Sequence, residues 1–553
     1  MSKLADIQLQ VMWNRLISVV EEQAQTLVRT AFGASTREAG DLSAGVFLPD
    51  GRMVAQAVTG TPGHVNSMAE SVKYFLQEYP PPTMFPGDVF LTNDPWKGTG
   101  HLNDLTMVTP VFKGKRMVAL FASTVHVVDI GGLGLSADGT QVYHEGLFIP
   151  IVRLVSRGRM DETVLKVVRA NVREPVQVEG DIYGLVACNE IGGRRLLAMM
   201  AEYRLKDIGK LSEHIIARSR AAMLAAVREW PQGAWSYSMT IDGYDKPITL
   251  AAKVTIAKTG IAIDFTGTSD AVSNGINVPK SYTDAYTSFG VRCVIGPHIP
   301  NNAGSLEVVR VTAPEGSIVN APFPLAVAAR STIGQMLPDM VFGCLRQARP
   351  DQVPTEGTSS LWNVRLAGGQ TMQGIDPAQL KGATRFNVVG FNTGGTGARP
   401  GKDGLSVTSF PSGIRNVAVE IMETLSPIVY WKKEYRPDSG GAGQHRGGLG
   451  QIMEIANGEP APMIISATFD RIVHPARGSA GGRNGGGGRL TLGSGTTMRG
   501  FGRQVIPAGD RVVVETPGGG GIGDPQARPR EAVARDVKNG LVTPEQAKKV
   551  YGL

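Results

Sequence analysis

The chain has 553 residues, of which 42% are hydrophobic and 19% charged, with 56 basic against 49 acidic side chains and a formal net charge of +7. That length exceeds a single hydrophobic core and predicts two to four domains. The charges are spread along the chain with no basic run interleaved with aromatics, and no stretch approaches the ~20 apolar residues that span a bilayer, which argues against nucleic-acid and membrane partners.

In chain order, Leu9, Met12, Leu16, Val20 and Leu27 recur at helical spacing and predict an opening amphipathic helix. The same segment, MSKLADIQLQVMWNRL, is interrupted by Asp6, Gln8, Gln10, Asn14 and Arg15, so no signal peptide is expected. LSAGVF, a PDG turn and RMVAQAV then read as a β-hairpin. Asp41, just before that run, can point from a strand end or simply cap a turn. His64, in TGTPGHVNSM, reads as a loop histidine that either binds substrate or is solvated. A helix over roughly 67–79 is stopped by Pro80, Pro81 and Pro82.

Residues 93–132 carry two groups with the character of metal ligands. NDPWKGTGHLND offers His101 and Asp104, and TVHVVDIGG offers His126 and Asp129. Two apolar, β-branched runs around Gly114 separate them and predict a hairpin that returns both groups to one end. Imidazole nitrogens with carboxylate oxygens make a borderline site suited to Zn, Mn or Fe, with ligands few enough to leave room for water or substrate. The competing reading is that each histidine is packed in an apolar core.

Helices are expected over about 161–170 and 180–230, an alternating strand region over 236–268, and helices near 284–293 and 332–346. From about 387 the chain is glycine-rich, and its last thirty residues read as a short helical tail. The expectation is an α+β, β-rich multidomain protein divided as 1–235, 236–386 and 387–553. The glycine runs invite a phosphate-binding reading, but none matches a P-loop or a dinucleotide motif, and structural turns and close backbone approaches explain them better. GGTGARPGKDG stays open, because Arg399 and Lys402 beside flexible backbone can hold a phosphorylated or carboxylated substrate; Arg330 and Arg446 are weaker versions of the same idea. Cys188, Cys293 and Cys344 are odd in number and far apart, which fits a reducing compartment, so the cytoplasm is expected. No neighbour of these cysteines suggests a lowered thiol pKa, and no G-x-S-x-G elbow is present.

GVFLPDGRMVAQA, HVNSMAESV, PGDVFLTNDPWKGTGHLNDLTMVTPVF, VHVVDIGG, YHEGLFIP, NVREPVQVEGDI, EYRPDSGGAGQHRGGLG and ETPGGGGIGDP occur in that order. On these segments the sequence resembles the hydantoinase B/oxoprolinase family, the beta-type subunits of ATP-dependent hydantoinases, oxoprolinases and caprolactamases, related to acetone and acetophenone carboxylase subunits. The resemblance implies a hydantoinase B-like fold and a hetero-oligomer with an alpha-type hydantoinase A/oxoprolinase subunit that binds ATP and Mg. It also implies a divalent metal held by Asp41, His101, Asp104 and His126. Asp129 would then be a further ligand, a support for His126, or part of the turn into Gly131 and Gly132. Two departures stand out: Val127 replaces a histidine found in many relatives, so that one polar group near the site is missing, and Asn392 and Thr393 occupy a place where many carry an acid. The activity implied is hydrolysis of a small cyclic amide, a hydantoin, 5-oxoproline or lactam, after phosphorylation by the partner. The alternatives are a ketone carboxylase subunit and a non-catalytic scaffold; in the last, the His/Asp groups would hold a structural metal, although such sites are usually closed and rich in Cys.

Overall fold

The computed structural model describes residues 3–371 and 374–553. It opens with α1 (Lys3–Thr30), the short α2 (Ala34–Arg37), and the hairpin of β1 (Leu42–Phe47) and β2 (Met53–Gln56). Next comes α3 (Pro62–Glu78), which begins five residues earlier than the spacing predicts. Thr61 explains this: it is the N-cap, its hydroxyl accepting from His64 N (3.3 Å), and Pro62 occupies the first turn. His64 is therefore a helix residue and not a loop residue.

β3 (Val89–Thr92), β4 (Asp104–Lys113), β5 (Arg116–His126), β6 (Val152–Ser156) and β7 (Arg159–Met160) complete a sheet of order β2-β1-β5-β4-β3-β6-β7. α4 (Glu162–Asn171), α5 (Pro175–Glu202) and α6 (Gly209–Arg228) follow. The sheet is buried on both faces. Leu105, Met107, Ala119, Phe121 and Val125 pack in one core with α1 and α5, whereas Val108, Leu120 and Ala122 pack with Met68, Val72 and Phe75 of α3 in another. Because strand side chains alternate, the even positions of β4 and β5 face α3, and Asp104 and His126 share that parity.

The second region is a sheet of β8 (Gly233–Ile241), β9 (Ile248–Ala257), β10 (Gly260–Asp264) and β11 (Val309–Thr312). With it come α7 (Lys280–Val294), α8 (Ala303–Leu306), α9 (Ser331–Gly334) and α10 (Leu337–Ala348), and α7 and α10 share its apolar core. The third region pairs two antiparallel sheets around one core, as in a β-sandwich. One contains β12 (Trp362–Gly368), β13 (Phe386–Asn392), β16 (Met463–Thr468) and β18 (Phe501–Ile506); the other contains β14 (Ile428–Tyr435), β15 (Gln451–Asn457), β17 (Arg489–Leu492) and β19 (Arg511–Glu515). α11 (Val419–Leu425) lies against β14, and α12 (Arg530–Lys538) and α13 (Pro544–Gln546) form the tail. β12 hydrogen-bonds to β13 and β16, and the boundary expected at 386 falls at the first residue of β13, within that sheet.

The glycine-rich segments pack on one another as extended backbone more than as turns. Gly448 N donates to Thr396 O (2.9 Å), Gly519 N to Gly448 O (3.0 Å) and Gly441 N to Gly519 O (2.8 Å). A Cβ added at Gly519 would lie 1.9 Å from Thr396 O, and one at Gly447 would lie 1.9 Å from Gly519 O. Only glycine permits that approach.

Candidate active site

The β4–β5 hairpin turns at Gly114 (φ 62°) and pairs Asp104 directly with His126 at its open end. β1 runs beside β5, and His126 N donates to Asp41 O (3.3 Å), which brings Asp41 to the same end. His101 stands in the loop leading into β4, and the first turn of α3 adds His64. The sequence-expected set of Asp41, His101, Asp104 and His126 is thus assembled in one place, with all four buried. His101, Asp104 and His126 each offer a ligand atom within 4.8 Å of the others.

Asp104 is the hub. Its Oδ1 lies 2.7 Å from His101 Nε2 and 3.1 Å from His126 Nδ1, and the two imidazole nitrogens are 3.2 Å apart. Its Oδ2 accepts from Thr99 Oγ1 (2.8 Å) and Arg330 Nη2 (2.5 Å) and lies 3.0 Å from His64 Nε2. Despite burial, His64 and Arg330 among its neighbours hold the Asp104 carboxyl well below the usual range. Burial, outweighing His64 and His126, raises that of Asp41. His64 is raised because Asp104 and Asp41 outweigh its burial.

His101 is pushed down to about 3 by burial and by Arg330, and is therefore neutral. Its Nδ1 faces the Ala328 carbonyl at 3.0 Å. A carbonyl only accepts, so Nδ1 carries the proton and Nε2 turns a lone pair onto a carboxylate oxygen. Two electron-rich atoms at 2.7 Å repel unless a cation lies between them or beside both. Further observations agree. Asp41 Oδ1, His64 Nδ1, Gln335 Oε1 and Asn363 Oδ1 are buried without a hydrogen-bond partner, and their four residues line one cavity of about 20 Å³. Buried polar groups are rarely left unpaired, and this cavity has room for a single water or ion. Two buried aspartates face one buried arginine here, an excess of carboxylate that suits a cation. The residues fit a divalent metal.

The roof comes from the second region. Arg330 Nε donates to Thr99 O (2.8 Å), and its guanidinium stacks 4.1 Å above the Tyr282 ring. Gly100 (φ 103°) is required there, because a Cβ would fall 2.5 Å from Arg330 Cδ. The segment carrying Ala328 and Arg330 is held by Glu145, whose Oε1 accepts from Val327 N (2.6 Å) and Ala328 N (2.7 Å). Thr99, Glu145 and Tyr282 have no sequence signal that singles them out; Glu145, for one, acts on backbone 182 and 183 residues away.

Other expected residues lie elsewhere. Asp129 is buried but accepts from Arg173 Nη1 (2.7 Å), Arg173 N and Gly131 N, so it holds the turn into Gly131. Arg399 donates to Asp403 O, and exposed Lys402 pairs only with the backbone of Arg399. Neither lines the cavity. Arg446 braces a loop, its Nη1 donating to Gly447 O. Val127 points into the α1/α5 core, on the face opposite His126. The polar group expected to be missing from the site is therefore not missing from it, because strand parity turns position 127 away.

A family model for hydantoinase B/oxoprolinase matches residues 5–525. The chain belongs to that family. The hydantoinase B/oxoprolinase chain is 27% identical to the beta subunit of caprolactamase from Pseudomonas jessenii, over 100% of this chain and 97% of that one. A solved structure of ATP-dependent caprolactamase from the same organism covers 99% of this chain and 96% of its own at a TM-score of 0.88 and 26% identity. The 5-oxoprolinase PfmaA of Pestalotiopsis fici is 29% identical over 94% of this chain, which spans only 41% of that protein's length. An acetone carboxylase structure shares the fold, with a TM-score of 0.84 at 19% identity, covering 98% of this chain and 79% of its own. Relatives named as beta or B subunits imply that members of the family work with a partner chain. No helix among the described residues is long and apolar enough to cross a membrane.

Proposed function

We propose that this hydantoinase B/oxoprolinase chain is the metal-dependent hydrolytic subunit of an ATP-dependent cyclic-amide hydrolase, working beside an alpha-type subunit that binds ATP and Mg. The observation that carries the reading is the convergence of His101 Nε2, His126 Nδ1 and Asp104 Oδ1 on one another, beside a cavity the size of one ion that Asp41, His101 and His126 line. Relatives named caprolactamase, hydantoinase and 5-oxoprolinase support the substrate class of a small cyclic amide.

Asp41, His101, Asp104 and His126 would hold a divalent Zn, Mn or Fe ion, which when bound lowers the pKa of water and polarises a carbonyl. The chain's own groups set the rest. The Ala328 carbonyl fixes the His101 tautomer so that Nε2 keeps its lone pair free. Arg330 offsets the charge of Asp104 and helps to keep it a carboxylate. His64 Nε2 lies 3.0 Å from Asp104 Oδ2, the oxygen that His101 and His126 leave free, and so helps to orient that carboxylate. The ketone carboxylase alternative has only a likeness of fold behind it, at 19% identity. The scaffold alternative leaves the unpaired Gln335 and Asn363 oxygens without a use.

The test is ATP turnover by this chain with its partner on hydantoin, 5-oxoproline and lactams, with metal measured on the same sample. Ring-opened product in step with ADP is expected. His126→Ala should lose the metal and at least ~100-fold in turnover, by comparison with what single catalytic groups contribute. Product that forms only with bicarbonate and a ketone, or full activity in a metal-free preparation, would refute the reading.

A further inference from the structure

The ion-sized cavity cannot take a ring. A five- to seven-membered cyclic amide needs a space near that of benzene, which fills an apolar cavity of ~150 Å³. A second cavity, of about 160 Å³, lies against the first and shares one wall with it, His126. None of the other cavities described has a residue of the ligand set in its lining.

The shared wall follows from strand parity. His126 and Val128 alternate to the same side where β5 runs out, and both line this chamber. Its opposite wall is β13, an edge strand whose outer side has no strand partner. Met422 and Leu425 of α11 supply apolar surface. The rest of the lining is mixed, with Ser35, Glu174, Gln177, Arg385 and Asn387 as its polar side chains beside His126. Asn387 is 9% exposed; its Oδ1 accepts from Arg365 Nε (3.1 Å) while its Nδ2 has no partner. Glu174, the N-cap of α5, accepts from Gln177 Nε2 (3.3 Å) and lines the chamber from the first region, while the exposed Arg385 lines it just before β13. A volume of 160 Å³ is well below the ~300–1,000 Å³ of pockets for drug-sized ligands, so a nucleotide does not fit.

We infer that this chamber, bounded by His126, β13 and α11, holds the ring of a small cyclic amide, with its methylenes against Met422 and Leu425 and its amide edge toward Asn387 and His126. A cis-amide presents N–H and C=O side by side, and the lining offers an unpaired donor at Asn387 and an acceptor at Glu174 to meet them. The reacting carbonyl then sits against His126, at the edge of the ligand cluster. This inference rests on the cyclic-amide reading above and adds the place where the ring binds.

Two measurements test it. ε-Caprolactam and 2-pyrrolidinone are soaked into crystals of the full chain, where without ATP they are not consumed; a ring is expected between Leu425 and His126. Separately, Leu425→Trp and Met422→Trp are assayed with the partner present. Each should raise KM for the ring substrate at least about tenfold while leaving bound metal unchanged, and Leu425, half-exposed at the rim, tolerates the change without risk to the fold. Ring density elsewhere, or an unchanged KM in Leu425→Trp, overturns the chamber and leaves the hydrolase reading standing. A ring seated in the chamber of a chain that never turns it over would do the reverse.

Discussion

The Glu145 carboxyl lies under the segment that carries Ala328 and Arg330, and burial pushes it up to about 8 from an ordinary 4.5, against the pull of the Ala328 and Val327 N–H groups and Arg330. The native state thus keeps a proton that the unfolded chain releases, so this group's contribution to stability is lost as pH rises from about 4.5 to about 8. Glu145→Gln keeps the oxygen that accepts from Val327 and Ala328 and removes the titration. Its melting temperature should fall less than that of the wild type between pH 5 and pH 8, and parallel curves for the two proteins would show that Glu145 is already ionised in the native state. At this scale the sequence revealed Asp104 and His126, because a hairpin makes residues 22 apart into neighbours. It concealed Glu145, because nothing in its spacing announces a partner at Ala328. It misled at Val127, where a nearby residue number was taken for a nearby side chain.

Among the elements, the glycine array depends least on side chains and most on backbone fit. Gly519→Ala would set a methyl 1.9 Å from Thr396 O, which must displace a hydrogen-bonded chain, whereas Gly486→Ala meets its nearest atom, Ser439 Cα, at 3.3 Å. The first should destabilise by about 3 kcal/mol or more and the second by much less, read from urea unfolding. Equal losses would mean that the segments separate easily. Glycine content marked this region as one of close approaches, but composition could not say which segment meets which. Those pairings join residues from 394 to 523 through backbone hydrogen bonds, and backbone groups are the same at every position. Helices and strands were easier to read, since α1, α5, α7 and the β4–β5 hairpin declare themselves by period.

Over the whole molecule, ligands from the first sheet are closed in by residues of the other two regions: Tyr282, Arg330 and Gln335 from the second, and Asn363 and Phe391 from the third. Metal binding should therefore stabilise the assembled chain. With metal at 100 times its dissociation constant the gain is about 2.7 kcal/mol. Prolonged chelation should lower the apparent unfolding midpoint, and stoichiometric Zn, Mn or Fe should restore it; a midpoint indifferent to both would argue that the cluster holds no ion. The closed roof also has a consequence for biosynthesis. The four ligands lie between residues 41 and 126, so they leave the ribosome long before Arg330 or Phe391. A nascent chain offers them to the ions around it while the site is still open, and completing the fold shuts the exit. On the proposed metal-dependent reading, supply at the moment of synthesis would then set which metal the mature protein carries, and later exchange would wait on the rate at which the roof opens.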